Sequence, residues 1–312
     1  MIKRIADTIK EQMGEKILNQ AGLTELALTA LFAGGHVLLE GVPGLAKTLW
    51  VRALSRLIGA DSKRVQFTSD LMPSDILGTK VFNQQTGNFE LRRGPLFTQL
   101  FLADEINRTP PKTQSALLEV MEERAITIDG ARHRLDEPFF VMATQNPVEH
   151  EGTYPLPEAL TDRFMMKLEV AYPGVAAEKR MLELYNEGKD PTDLEGLSAA
   201  CMAAEVCEAK REARAVTVQD GIFGYIVSLV ETTRRVGAVL YGASPRASVA
   251  LLMAAKAFAA MQGRDYVIPD DVHRLALPVL CHRVILRPEA EIEGVTAAKV
   301  MESILAQVRV PR

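Results

Sequence analysis

Apolar positions along the chain fall into two regimes, and the change comes near residue 173. Before it, short apolar runs of strand length alternate with stretches of helical period. Ile2, Ile5, Ile9, Met13 and Ile17 recur at helical spacing and predict a helix over 2–18. "LTELALTALFA" predicts a second over 23–33, stopped by Gly34-Gly35. "HVLLE" (36–40) is too short for its period to separate strand from helix. The glycine and proline just after it decide for a buried strand. A helix over 47–58 follows. Further strand candidates are "RVQFTS" (64–69), "QLFLADE" (99–105), "FFVMATQNP" (139–147) and "FMMKLEVAY" (164–172). Two segments read as hairpins: 79–95 about Thr86-Gly87-Asn88, and 125–135 about Asp129-Gly130. "PKTQSALLEVMEE" (111–123) reads as an amphipathic helix opened by prolines.

After Pro173-Gly174 the strand signal fades. Helical patterns cover 175–186, 192–213, 218–235, 245–262, 269–281 and 290–307, and a polar connection runs over 186–196. Five strands, most of them separated by helices, predict an α/β fold with a mostly parallel five-stranded sheet flanked by helices. A small all-helical domain is expected to follow it. The expected division is 1–173 for the sheet domain, 174–191 for a linker and 192–312 for the helical domain.

Composition narrows the class without naming an activity. The chain has 312 residues, 47% of them hydrophobic, and a formal net charge of −4. Nothing global asks for nucleic acid or an anionic membrane. Cys201, Cys207 and Cys281 give neither a disulfide framework nor a CxxC pair, so a reducing compartment fits. Charges spread through residues 1–20 do not make a signal peptide, and the apolar runs are too short or interrupted to span a bilayer. A cytoplasmic, soluble protein is expected.

The chemistry gathers where strands end. In "GVPGLAKT", Gly41, Gly44, Lys47 and Thr48 nearly match the phosphate-loop pattern G-x-x-x-x-G-K-[ST], with Ala46 in the place of its last glycine. Glycines allow a tight turn whose amides point inward, and the following helix opens with free N–H groups that favour an anion. Lys47 would reach the β and γ phosphates of a nucleotide, and Thr48 would place a hydroxyl on Mg²⁺. The candidate nucleotide-binding segment is Gly41, Val42, Pro43, Gly44, Leu45, Ala46, Lys47, Thr48 and Leu49. An ordinary strand-turn-helix with a surface lysine is the plainer reading; the apolar strand before the loop and the helix after it favour a nucleotide.

Asp104 and Glu105 follow another buried strand. Adjacent strand residues face opposite ways, so the two carboxylates can take separate roles. Asp104 can hold Mg²⁺ through its water shell, and Glu105 can orient and polarise an attacking water. Asn146, at the end of the next strand, can hydrogen-bond a γ-phosphate or that water. Solvated acids and a turn-capping asparagine are the alternatives.

At these residues the chain resembles the MoxR family of AAA+ ATPases. The likeness is carried by "GGHVLLEGVPGLAKT", "FLADEINRTPPKTQSALLEVMEE", "VMATQNPVEHEGTYPLPEALTDRF" and "GASPRA", and it runs from about residue 17 to 307. Alanine before the lysine is usual in that family. Residues 17–22 depart from it, reading "ILNQAG" where a V-x-x-G-Q turn near the adenine is common. The resemblance implies a P-loop NTPase of AAA+ type with a helical lid. It implies Lys47 and Thr48 as Walker A, Asp104 and Glu105 as Walker B, and Asn146 as sensor 1. It further implies Arg163 as an arginine finger that reaches a neighbouring subunit's nucleotide, and Arg246 as sensor 2 on the lid. The hairpins near 79–95 and 124–137 resemble the helix-2 and pre-sensor-1 inserts of this branch.

An arginine fork suits a γ-phosphate, though Arg163 could instead pair with Asp162 or Glu158, and Arg246 could be a lid-surface arginine. Arg92, Arg93, Arg132, His133 and Arg134 make the hairpins basic, which solvated faces would explain. What the resemblance implies is Mg²⁺-dependent hydrolysis of ATP to ADP and phosphate in a ring, a hexamer by family habit. Such a machine would act as a chaperone that remodels or activates a client, with metal or cofactor insertion as one outcome. A von Willebrand factor A domain protein is the expected partner, and nucleic acid is not expected. A DNA-acting AAA+ machine and a nucleotide-switched scaffold with little turnover are the rival readings.

Overall fold

The computed structural model describes residues 1–312 except 18–19, 42–46, 147–151, 189, 191 and 312. Two helices open the chain, α1 (Ile2–Lys16) and α2 (Ala21–Ala33). They are followed by β1 (Val37–Glu40), α3 (Lys47–Leu57), β2 (Ser62–Gln66) and the short α4 (Pro73–Leu77). A hairpin of β3 (Gly78–Asn83) and β4 (Asn88–Arg93) leads to β5 (Leu100–Asp104) and α5 (Pro111–Glu123). A second hairpin, β6 (Ala125–Ile128) and β7 (Ala131–Arg134), precedes β8 (Phe140–Gln145), α6 (Glu158–Thr161) and β9 (Met166–Glu169). The remainder runs α7 (Val175–Asn186), α8 (Ala203–Ala215), α9 (Asp220–Thr233), β10 (Val239–Tyr241), α10 (Pro245–Met261) and α11 (Pro269–Leu280). It ends with β11 (Ile285–Leu286), α12 (Pro288–Ile292) and α13 (Ala297–Gln307).

The main sheet has the order β2-β5-β8-β1-β9, and every neighbouring pair is parallel. The inner strands β1, β5 and β8 read as nearly unbroken apolar runs because both faces are covered, whereas the edge strand β2 (SKRVQ) is largely exposed. Leu39, Leu102, Met142 and Leu168 enter one core, whereas Leu38, Phe101, Ala103 and Val141 enter the other. The first core continues without a break through α1–α3 into Val206 of α8, Leu229 of α9, Leu251 of α10, Leu275 of α11 and Met301 of α13. The second core takes Ile76 of α4, Leu117 of α5, Ile126 of β6 and Leu160 of α6. Helices α10–α13 form the lid, and one continuous apolar interior ties it to the first two helices of the chain.

Both hairpins form where the turn signals stand. Asp129 (φ 48°) and Gly130 (φ 78°) are both left-handed, as a two-residue turn between twisted strands requires. Three expectations need correction. Residues 192–202 are not helical, and α8 starts at Ala203. Asp190 and Asp193 accept the backbone N–H of Thr192 and Glu195, each at 2.8 Å, which offers that backbone local partners other than a helix ladder. The segment then gives the N–H of Ala200 and Cys201 to the Leu57 carbonyl. The helix expected over 290–307 is two helices, parted by Gly294 (φ 78°) and restarted by Thr296, whose hydroxyl accepts from the Lys299 N–H at 3.3 Å. Finally, β10 and β11 form a short antiparallel ladder that the helical patterning hid.

One buried charge tests the packing of α8. Lys210 is 6% exposed. Burial, reinforced by the nearby Arg124, pushes its pKa down to about 8, with Cys207 and Glu137 opposing. The folded pKa lies below the unfolded value, so the ammonium opposes folding below pH 8, and the cost fades as pH rises from about 8 towards the unfolded value of 10.5. Lys210→Met should therefore stabilise the fold at pH 7, by up to about 3 kcal/mol. The gain should shrink at pH 9.5, as urea unfolding of both proteins at the two pH values would measure.

Candidate nucleotide site

A parallel sheet delivers the carboxyl ends of β1, β5 and β8 to one crevice, and the predicted chemistry meets there. Gly41 follows β1 and gives its N–H to the Gln145 carbonyl at 3.3 Å. A Cβ at Gly41 would stand 2.8 Å from the Val170 carbonyl oxygen, so glycine is needed here for close approach to the end of β9. Val42, Pro43, Gly44, Leu45 and Ala46 lie outside the described residues. Lys47 opens α3, with Thr48 and Leu49 behind it, all three partly buried. Lys47 Nζ donates to the Gly41 carbonyl at 2.7 Å, so the ammonium rests on the near side of its own loop. Burial lowers its pKa, and the carboxylates of Asp104 and Glu105 oppose that, which sets all three groups in one field.

The two acids are separated by a bend in the backbone. Asp104 is the last residue of β5, and Glu105 adopts a left-handed conformation (φ 55°, ψ 50°). Strand alternation, the reason expected from the sequence, is thus not what divides them. Such a conformation is strained for a residue with a Cβ and needs support from its surroundings. Thr144 of β8 supplies it: its hydroxyl donates to Asp104 Oδ1 at 2.6 Å and accepts the Glu105 N–H at 2.8 Å. Arg64 and Gln66 of β2 complete the frame. Arg64 donates to Asp104 Oδ2 from Nε (3.1 Å) and Nη2 (2.8 Å), and Gln66 Nε2 donates to Glu105 Oε2 at 2.7 Å. Arg108 stands 2.8 Å from the same Glu105 oxygen.

Asn146 is buried just past β8, and its carbonyl accepts from Asn107 Nδ2 at 3.4 Å. Asn107 Oδ1, also buried, has no hydrogen-bond partner among the described residues. An unserved acceptor beside the acids is an opening for a water or a ligand donor. The donor set suits Mg²⁺, because Thr48 and Asp104 offer hard oxygens. Among the described residues no group of three or more His, Cys, Asp or Glu could hold a metal unaided.

Arg163 and Arg246 are brought together, but at the other end of the sheet. Arg163 lies just before β9, whose first residue, Met166, pairs with Val37, the first residue of β1. Its guanidinium contacts Glu122 Oε2 near the C-terminus of α5. Arg246, in the first turn of α10, stands 3.4 Å from Glu122 Oε1 and 3.4 Å from Asp162 Oδ2. Arg246, which the resemblance placed among the nucleotide-binding groups as sensor 2, does not lie at the Lys47 crevice. In this structure it is on the Arg163 face instead, roughly the length of a four-residue strand (about 13 Å) from the Gly41 end. Arg283, which is 8% exposed, also bridges the lid to this end. It donates to Asp162 Oδ1 (2.8 Å) and to the carbonyls of Asp162 (3.0 Å), Phe164 (2.8 Å) and Met165 (3.1 Å), pinning the lid to the amino end of β9.

Thr144, Arg64, Glu122 and Arg283 were not singled out in the sequence. Thr144 could have been, since it stands two residues before Asn146 near the end of the same strand candidate. The other three have signals only in three dimensions.

A phosphate-loop lysine after the first sheet strand, an acidic pair after its second neighbour and a helical lid together define an AAA+ ATPase. Residues 36–166 match the ATPase family associated with various cellular activities (AAA), and residues 231–304 match the AAA lid domain. YeaC of Bacillus subtilis (strain 168), an uncharacterized protein, is 50% identical over 301 residues, covering 96% of this chain and 93% of that protein. Chaperone MoxR1 of Mycobacterium tuberculosis is 42% identical over 305 residues, covering 95% and 80%. The 2.00 Å crystal structure of a proposed ATPase from Cytophaga hutchinsonii superposes with a TM-score of 0.89 at 43% identity, covering 99% of this chain and 96% of that one. The chain belongs to the MoxR family of AAA+ ATPases.

The Thr144 bridge gives a direct prediction. Thr144→Val keeps the shape but leaves the partly buried Glu105 N–H and one Asp104 oxygen without their hydroxyl partner. Stability should fall by about 1–3 kcal/mol, and ATP turnover should fall at least tenfold as the acids lose their frame. Urea unfolding and steady-state ATPase assays measure the two effects.

Proposed function

We propose that the chain assembles into a ring, a hexamer, in which each ATP is held by one subunit and completed by the next. The observation that carries this reading is the separation of Lys47, Asp104 and Glu105 at one end of the sheet from Arg163 and Arg246 at the other. Within one subunit the two sets cannot share a phosphate; head-to-tail contacts between copies would let them.

In this reading Lys47 leaves the Gly41 carbonyl for the β and γ phosphates of ATP. Thr48 and Asp104 would hold Mg²⁺, whose charge offsets that of the phosphates. Asp104 would trade its bond to Arg64 for water on the ion. Glu105, fixed by Thr144 and Gln66, orients the attacking water and takes its proton. Asn146 holds the γ-phosphate or that water. Arg163 and Arg246, arriving from the neighbour, balance charge on the transferred phosphoryl group.

The work is proposed to be that of a MoxR-type chaperone that remodels or activates a partner complex, as the name Chaperone MoxR1 attaches to a relative. Metal or cofactor insertion and a von Willebrand factor A domain partner belong to the same proposal. Three free thiols suit the cytoplasm. A protein client is favoured over DNA by the β3–β4 hairpin. It presents Phe82 and Phe89, 50% and 69% exposed, as a cross-strand pair with ring centroids 5.3 Å apart. The basic residues of the hairpins are partly spent within the chain: Arg132 pairs with Glu123 at 2.6 Å, and Arg93 lies over the Phe97 ring.

Lys47→Ala should abolish ATP binding, measured by titration calorimetry; near-wild-type affinity would refute the loop assignment. Glu105→Gln should bind ATP yet lose turnover by at least about 100-fold. Arg163→Ala should also bind and lose turnover, and mixing it with Glu105→Gln should restore part of the rate. Mixed rings that stay silent would count against an arginine supplied by the neighbour.

A further inference from the structure

We propose that Glu122 is the resting counter-ion of the arginine face: its carboxylate holds Arg163 and Arg246 together in the free subunit and competes for them with the phosphate of the next copy's ATP. The proposal rests on the reading that Arg163 acts across a subunit contact.

Three guanidinium groups, Arg163, Arg246 and Arg283, meet two carboxylates, Asp162 and Glu122. The cluster therefore keeps one positive charge in excess. Arg283 is not available to a ligand, since it is buried and bonded to the Asp162 carboxylate and to the backbone carbonyls of Asp162, Phe164, Met165 and Val279. Asp162 is committed to it, and also accepts from the Ser244 hydroxyl at 3.3 Å. That leaves Glu122 as the main partner of Arg163 and a shared partner of Arg246.

Two features mark Glu122 as a substitute for another anion. Arg163 Nε is buried and has no hydrogen-bond partner among the described residues, so the single carboxylate in reach does not serve the whole fork. A phosphate has an oxygen to spare for it. Glu122 also occupies the last turn of α5, where the helix presents its negative end and a carboxylate is disfavoured. Its neighbour Glu123 is offset by Arg132, and Glu122 by the two arginines.

The same carboxylate joins the sheet domain to the lid, because Arg163 precedes β9 and Arg246 opens α10. Surrendering both arginines to a phosphate would unlink the lid from α5 at the moment the subunits meet. Glu122 is thus a positioning residue, touching neither substrate nor reacting atoms.

Removing its charge should strengthen the arginine face for phosphate. With ATP and Mg²⁺, at an ionic strength where the wild-type ATPase rate per subunit shows a midpoint in protein concentration, Glu122→Gln should lower that midpoint by about three- to tenfold. Glu122→Ala should move it the same way, and Glu122→Asp should keep the wild-type midpoint. A midpoint that is unchanged or raised in Glu122→Gln and Glu122→Ala would overturn the proposal, as would an equal shift in Glu122→Asp. A mere brace for the lid would raise the midpoint. Arg163→Ala in the same assay separates the two readings. If it keeps the wild-type plateau, the neighbour's arginine is not needed and both readings fall. If it is silent while the Glu122 variants stay at the wild-type midpoint, only the counter-ion role falls.

Discussion

The polarity of a parallel sheet governs this molecule. All five strands of β2-β5-β8-β1-β9 run the same way, so every carboxyl end opens into one crevice and every amino end lies opposite. Lys47, Asp104, Glu105 and Asn146 come from the first set of ends, and Arg163 comes from the second. The lid could have carried Arg246 back over the crevice. Instead Arg283 ties the lid to the amino end of β9, and Arg246 lies on that side. Strand direction and one buried arginine thus keep the two sets of groups at opposite ends of one subunit, and the proposed dependence of catalysis on assembly rests on that separation.

The crevice itself is framed and at rest. Glu105 is held in a left-handed conformation by a threonine hydroxyl from the adjacent strand, and the same hydroxyl fixes Asp104. Arg64 occupies the outer oxygen of Asp104, and the Gly41 carbonyl occupies Lys47. Each charged group that would meet phosphate or metal therefore already has a protein partner, a cation for Asp104 and a carbonyl for Lys47. Glu122 repeats the arrangement on the arginine face. Neutralising charges until a ligand arrives limits the desolvation cost of keeping them poised.

Much of this was legible in the chain, for identifiable reasons. All five sheet strands are bounded by glycine, proline or acidic clusters, and both hairpins carry turn residues that tolerate positive φ. The candidate acids stand at a strand end and the lysine opens the helix after another, where sequence motifs are compact. What could not be read depends on packing between distant segments. Asx turns at Asp190 and Asp193 overrode a helical pattern, and Gly294 divided another. The position of Arg246 depends on α10 settling against α2 and α8 through one shared core, which no local pattern encodes. Glu122 looked like any solvated glutamate on an amphipathic helix.

The most direct test is the structure of the Glu105→Gln protein assembled with ATP and Mg²⁺, in which turnover is stopped and the ring is retained. The distance to measure runs from each γ-phosphate to the nearest Arg163 guanidinium. The account predicts hydrogen-bond contact, about 3 Å, with the Arg163 of the adjoining copy and with Arg246 on that same side. An Arg163 still resting on Glu122, with Arg246 of the same chain folded over its own phosphates, would contradict it.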